Sequence, residues 1–303
     1  MNAPLPLPIA AITNEQVRSY VDDGFLVVPD LVSQADVARL RADTAALARG
    51  KYPCKSLQPM PADTTDQQVL EKLLCIHQPH HISPVIREFV SHPGIVGVLS
   101  RIIGAHLAHW NGAVKCMQSM LFIKPPGKQG QAWHQDELYI PTRDRSLCGA
   151  WIALDDASES NGCLRVIPGS HRDGFLFDQG PHGNDQEFDF ASESHGFDQS
   201  REILVPAKAG SVVFFNGYLL HRSKRNRSQI YRRALVSHYM TMNSLLPWGV
   251  EGSPNLSIGT ADNRGVVPVC GSDPYVAKGY APFGDNVWLR TSAPLADMAA
   301  TPA

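Results

Sequence analysis

The sequence predicts a mainly β protein with flanking helices, an antiparallel sandwich or barrel, and three observations lead there. From about residue 114, five short β-rich runs follow one another with no helical pattern between them. That is the texture of an antiparallel fold, not of a doubly wound parallel sheet. The first hundred residues carry helical signals instead. Between two of the β-rich runs lies Asn161-Gly162, a hairpin signal because both central residues of a type I′ turn need positive φ.

Taken in order, Thr13-Asn14-Glu15-Gln16 fits a capping box opening a helix that stops near Gly24. Phe25-Leu26-Val27-Val28 reads as a short strand closed by Pro29. A second helix starts at Ser33 and runs to about Arg49, with Val37, Leu40, Thr44 and Leu47 on one face and Gly50 as its stop. Residues 51–66 are rich in Pro and polar residues and read as a loop. Helical pattern resumes at 69–74 and again at 84–103, interrupted by Pro93-Gly94. The β-rich runs are 120–123, 149–154, 163–167, 211–215 and 234–239. Segment 172–202 is long and patternless, the mark of either an active-site lid or an insertion. Residues 243–286 are Gly/Pro-rich, with a last apolar patch at Val287-Trp288-Leu289.

The chain has 303 residues, 27 Lys+Arg against 29 Asp+Glu, six cysteines and twelve histidines. Balanced charge argues against a protein that coats nucleic acid. No run approaches the ~18 apolar residues of a membrane span, and the start lacks a basic n-region, so the expected location is cytoplasmic. The cysteines are scattered without a C-x-x-C pair, which reads as reduced core thiols and not as a zinc site.

The segment that carries chemistry is Trp133-His134-Gln135-Asp136, where a strand pattern gives way to a loop. Residues i and i+2 of a strand share a face, so His134 and Asp136 can offer an imidazole nitrogen and a carboxylate oxygen to one ion. His221, after the strand at 211–215, is the best candidate for a third ligand. Two histidines and a carboxylate leave three positions open, the arrangement that suits non-haem Fe(II) oxygenases. Arg232 opens the next strand eleven residues after His221. A guanidinium there can grip a carboxylate through two parallel hydrogen bonds.

These residues sit among longer motifs: Asp22-Asp23-Gly24-Phe25-Leu26-Val27-Val28-Pro29, Met120-Leu121-Phe122-Ile123-Lys124-Pro125-Pro126, Trp151-Ile152-Ala153-Leu154-Asp155-Asp156-Ala157, Asn161-Gly162-Cys163-Leu164-Arg165-Val166-Ile167-Pro168-Gly169-Ser170-His171, and His221 with Asn226-Arg227-Ser228 and Arg232-Arg233. With them the chain resembles the phytanoyl-CoA dioxygenase family of Fe(II)/2-oxoglutarate-dependent oxygenases over nearly its whole length. The resemblance implies a double-stranded β-helix (a jelly roll, or cupin-like barrel) in a single domain, 1–303. About 1–113 would be mostly helical support, about 114–240 the core, and about 241–303 an irregular C-terminal segment. It implies His134, Asp136 and His221 as iron ligands, Arg232 as the partner of the distal carboxylate of 2-oxoglutarate, and Met120 and Trp151 as walls of the co-substrate site. Lys72 falls near a lysine that binds co-substrate in the family, and Gln135 is given a positioning role. Asp136 fills the position that halogenating relatives leave to chloride, which favours hydroxylation or another oxidation. The implied reaction consumes O2 and 2-oxoglutarate, releases succinate and CO2, and hydroxylates a small molecule. The competing readings are a jelly-roll metalloenzyme of another class, such as a cupin-like isomerase or a dioxygenase without co-substrate, and an inactive binding module.

The other histidines read more plainly. His77, His80 and His81 fall in a loop between helices, His171 closes a turn, and His238 lies in a strand facing either core or pocket. The basic run 222–227, with Arg143 and Arg145, borders the expected pocket mouth. An anionic substrate, such as a CoA thioester, a carboxylate or a phosphorylated compound, would find its contacts there.

Overall fold

The computed structural model describes residues 5–8, 12–57, 59–245, 265–280, 282–283 and 287–291. Hydroxyl side chains start four of the five helices. Thr13 and Gln16 close a capping box ahead of α1 (Asn14–Asp23), and Gly24, at φ 82°, ends it in the left-handed conformation. Ser33 caps α2 (Gln34–Ala48), Thr65 caps α3 (Asp66–Leu70) and Ser83 caps α4 (Pro84–Val90). A proline in the first turn, where no amide hydrogen is needed, opens α5 (Pro93–Ile102).

The strands in chain order are β1 (Phe25–Val28), β2 (Leu73–His77), β3 (Val114–Lys124), β4 (Gln131–His134), β5 (Cys148–Ala153), β6 (Leu164–Val166), β7 (Gln179–Gly180), β8 (Glu193–Ser194), β9 (Ile203–Val205), β10 (Val212–Asn216), β11 (His221–Ser223), β12 (Arg232–Thr241), β13 (Val267–Cys270) and β14 (Trp288–Thr291). The large sheet runs β1-β10-β5-β12-β3-β2-β14, with β13 added on β3, and a smaller sheet runs β4-β11-β6-β9. Among the described residues, every pairing between these strands is antiparallel.

Alternation along the large sheet buries both of its faces. Ala150, Ile152, Val212, Phe214 and Leu235 pack with Val37, Leu40, Phe89 and Leu99 of the helices. Their neighbours Trp151, Ala153, Val213, Phe215, Ala234 and Val236 pack against Leu164, Val166 and Val205 of the smaller sheet. Two facing antiparallel sheets with helices covering one of them form the expected jelly roll.

Three expectations need correction. The apolar run read as helix at 69–74 divides into the end of α3 and the start of β2, a strand buried at every position. A strand covered on both faces is continuously apolar, so periodicity cannot tell it from a buried helix. His77 therefore ends a strand, and His80 and His81 sit in a buried 3-10 turn, not in a loop between helices. Asn161-Gly162 does not close a type I′ hairpin. Only Gly162 has positive φ, and the flanking β5 and β6 belong to different sheets. The Asn161 side chain instead braces the crossover, accepting from Ser158 N and donating to Asp156 O. Finally, the C-terminal segment is not irregular throughout, because β13 and β14 extend the large sheet. The Ala-rich end and residues 246–264 lie outside the described residues.

Buried Asn226 holds the turn that leads into β12. Its Nδ2 donates to Lys124 O (3.0 Å) and Ile230 O (2.7 Å), and its Oδ1 accepts from Ser228 N (2.9 Å). Asn226→Ala strands those carbonyls, and urea unfolding is expected to show a loss of about 2 kcal/mol at unchanged slope. A loss below about 0.5 kcal/mol would mean that other contacts hold the turn.

Candidate active site

His134 ends β4 and His221 begins β11, and the two are direct partners across that antiparallel ladder. In each ring Nδ1 faces the carbonyl two residues earlier, Ala132 O at 2.8 Å and Leu219 O at 2.9 Å. A carbonyl only accepts, so each Nδ1 carries the proton and each Nε2 keeps a free lone pair. Asp136 Oδ1 lies 3.7 Å from both Nε2 atoms. The three ligand atoms all lie within 4.8 Å of one another, close enough to hold one ion. Among the described residues this is the one set of three or more such groups close enough to share an ion.

Burial, aided by His221, holds His134 down to about 3, so its ring is neutral. Burial alone would raise the Asp136 carboxyl, but His221 and a hydrogen bond from His238 outweigh it and hold the group ionised well below its ordinary range. His238 Nε2 donates to Asp136 Oδ2 at 2.9 Å, leaving Oδ1 for the metal. Gln135 faces away, as alternation requires. Its Nε2 donates to Phe175 O and Tyr218 O and its Oε1 accepts from Phe177 N, which ties segment 172–202 to the ligand loop.

The triad opens into a cavity of about 580 Å³. Cross-strand registers on the inner face of the large sheet make its floor. One row runs Trp151, Val236, Met120, His77, Trp288, and the next joins Phe122, Cys75 and Arg290. His238 pairs with Gln118 at one end, and Arg232 pairs with Lys124 at the other. Arg232 is buried, and its Nε has no hydrogen-bond partner. Its guanidinium lies 5.6 Å from the Trp151 ring, and burial pushes its ordinary value down to about 10.

The sequence profile of the phytanoyl-CoA dioxygenase (PhyH) family matches residues 20–234. This chain belongs to the phytanoyl-CoA dioxygenase family. It is 30% identical over 256 residues to a probable phytanoyl-CoA dioxygenase of Caenorhabditis elegans, covering 80% of each protein. It is 31% identical over 243 residues to the peroxisomal phytanoyl-CoA dioxygenase of Bos taurus, covering 76% of this chain and 68% of that one. Among solved structures, the epimerase SnoN in complex with Fe3+, alpha ketoglutarate and nogalamycin RO matches with a TM-score of 0.60 at 18% identity, over 80% of this chain and 91% of that one. At that identity the likeness is one of fold. Iron with 2-oxoglutarate is the cofactor set that the family and the His134, Asp136 and His221 triad point to.

The jelly roll of this phytanoyl-CoA dioxygenase family member brings Met120, Trp151 and Arg232 to the cavity with the triad. Lys72 it places elsewhere, exposed on a separate hollow with Asp63, Thr64, Gln68 and Glu71. The buried lysine beside Arg232 is Lys124, bonded to Ser223 Oγ and Lys224 O. Arg143 and Arg145 do not line the cavity. The basic run is largely spent on neighbours, Arg222 on Glu202 and Arg227 on Glu187. His171 is structural, bonded to Val21 O. Among the described residues no helix is long and apolar enough to cross a membrane. Sequence reasoning left His238 undecided, although period-two counting from Arg232 through 234 and 236 puts it on the cavity face.

If His238 fixes the ligand carboxylate, His238→Ala should weaken Fe(II) binding about 10- to 100-fold in an anaerobic titration, with His238→Gln recovering part of it. Unchanged affinity in His238→Ala would assign the carboxylate's orientation to other contacts.

Proposed function

We propose that this chain hydroxylates a small organic molecule, coupled to oxidative decarboxylation of 2-oxoglutarate. The observation that carries this reading is the buried Arg232, whose Nε has no hydrogen-bond partner, on the wall of the cavity that also holds the triad. A buried cation without a counter-charge is costly, and a dicarboxylate reaching from the metal would supply that charge through charge-assisted hydrogen bonds. His134, Asp136 and His221 would hold iron from one side and leave three positions for the keto acid and O2. Trp151 and Met120, neighbours in one cross-strand row, would flank the keto acid. When bound, iron with 2-oxoglutarate and O2 supplies the oxidant that cleaves a substrate C–H bond, as the keto acid leaves as succinate and CO2. The protein's part is to hold the ligand geometry, anchor the distal carboxylate and keep the floor dry with Phe122, Val236 and Trp151.

Anaerobic loading with Fe(II) and 2-oxoglutarate, followed by O2 and a substrate library, should give succinate and a product one oxygen atom heavier. Arg232→Leu should raise KM for 2-oxoglutarate about 10- to 100-fold while leaving iron affinity in place. No succinate above background, with iron binding unaffected by His134→Ala, would sink the proposal. An isomerised product without added oxygen would replace hydroxylation with another oxidation of the same site.

A further inference from the structure

We propose that the end of the cavity away from Arg232 is a subsite for an uncharged aromatic ring system, gripped by Trp288, Phe190 and Tyr139. The inference rests on the oxygenase reading for what happens at the triad, but the subsite is argued from its own residues. The cross-strand row from Trp151 to Trp288 spans five strands, or roughly 19 Å at ~4.8 Å per strand. The cavity thus runs well past the triad, and its volume is of the size that encloses a drug-like molecule.

Three aromatic side chains from separate elements line this cavity, and Phe190, under the guanidinium of Arg290, stands at its β14 side. Tyr139 follows the ligand Asp136, Phe190 comes from segment 172–202, and Trp288 opens β14. They are 45%, 46% and 45% exposed, whereas the aromatics Trp133 and Phe214 are fully buried. Large apolar surface left open in a cavity marks a ligand contact. The Trp288 ring is also fixed in orientation, because it stacks on buried His77 at 3.3 Å between centroids and 10° between planes. A flat ring so held offers stacking, and its selectivity is for other flat rings.

Charge decides that the ring is neutral. At this end Arg290 Nη2 is paired with Asp189 Oδ1 at 2.7 Å, and both side chains are about nine-tenths buried. Arg290 also lies over the Phe190 ring at 4.6 Å, so the pair braces the aromatic. Arg222, the next cation on the wall, is held by Glu202. The remaining described charges on the wall are Asp136, Arg232 and Lys124 at the triad end. An anionic substrate group here would meet the Asp189 carboxylate beside Arg290, among whose buried nitrogens only Nε lacks a hydrogen-bond partner. Trp288 and Arg290 lie beyond the residues the family profile matches, whereas Tyr139 and Phe190 lie within them.

The test is anaerobic equilibrium dialysis of the full chain with Fe(II) and 2-oxoglutarate against 2-naphthol, 2-naphthoate and 2-decalol. 2-Naphthol should bind about tenfold more tightly than the charged or the saturated analogue. Trp288→Leu and Phe190→Ala should each weaken it about fivefold. Equal or tighter binding of 2-naphthoate, equal binding of 2-decalol, or naphthol affinity unchanged in both variants would overturn the proposal. If Trp288→Leu does not fold, Phe190→Ala on the exposed segment decides. Bound 2-oxoglutarate is measured in the same cells: its absence counts against the oxygenase reading, and its presence without naphthol binding counts against the subsite alone.

Discussion

The pairing of His221 with His134 across the β4 and β11 ladder is the contact on which the rest of the site depends. Cross-strand partners in an antiparallel sheet stand only about 5 Å apart, so the ladder sets two imidazoles side by side before any metal arrives. Backbone carbonyls two residues upstream then fix both tautomers the same way. Asp136 completes the face from the first turn after β4, where the chain leaves the sheet. A one-residue slip of either strand would turn one imidazole away from the cavity.

The register of the large sheet, which carries Trp151, Val236 and Arg232 to the same cavity, is protected by how that sheet is buried. Its outer face is covered by α2, α4 and α5 and its inner face by the smaller sheet. A slip would exchange the two sets of side chains on a strand, and both sets are packed. The same burial raises the cost of every polar group inside. Lys124 is bonded to Ser223 Oγ and Lys224 O, and its desolvation, added to by Arg232, pulls its ammonium well below the ordinary range. Arg232, with no hydrogen-bond partner at Nε, is the group poised for an anion, in contrast to Arg222, Arg227 and Arg290, which already meet carboxylates.

Much of this was legible in the residues. Capping at Thr13 and Ser33, the β-rich runs and the H-x-D triplet are local signals, and the structure keeps all of them. The misreadings share a cause. The β2 strand, the Asn161-Gly162 crossover and Lys72 were each judged from a few neighbouring residues, while their state is set by distant partners: β3 and β14 for β2, two separate sheets for the turn, and a surface hollow for Lys72. His238 was within reach of alternation, but only its hydrogen bond to Asp136 distinguishes a pocket histidine from a core one.

By itself the sequence pointed to an antiparallel fold and to His134, Asp136 and His221 as candidate donors through residue type and spacing, and to the jelly roll and the iron-ligand set through its family resemblance. The tertiary structure decided which cations remain free and what closes the far end of the cavity. Both depend on strands brought together from opposite ends of the chain: Arg290 meets Asp189, and Trp288 meets His77, only because β14 pairs with β2.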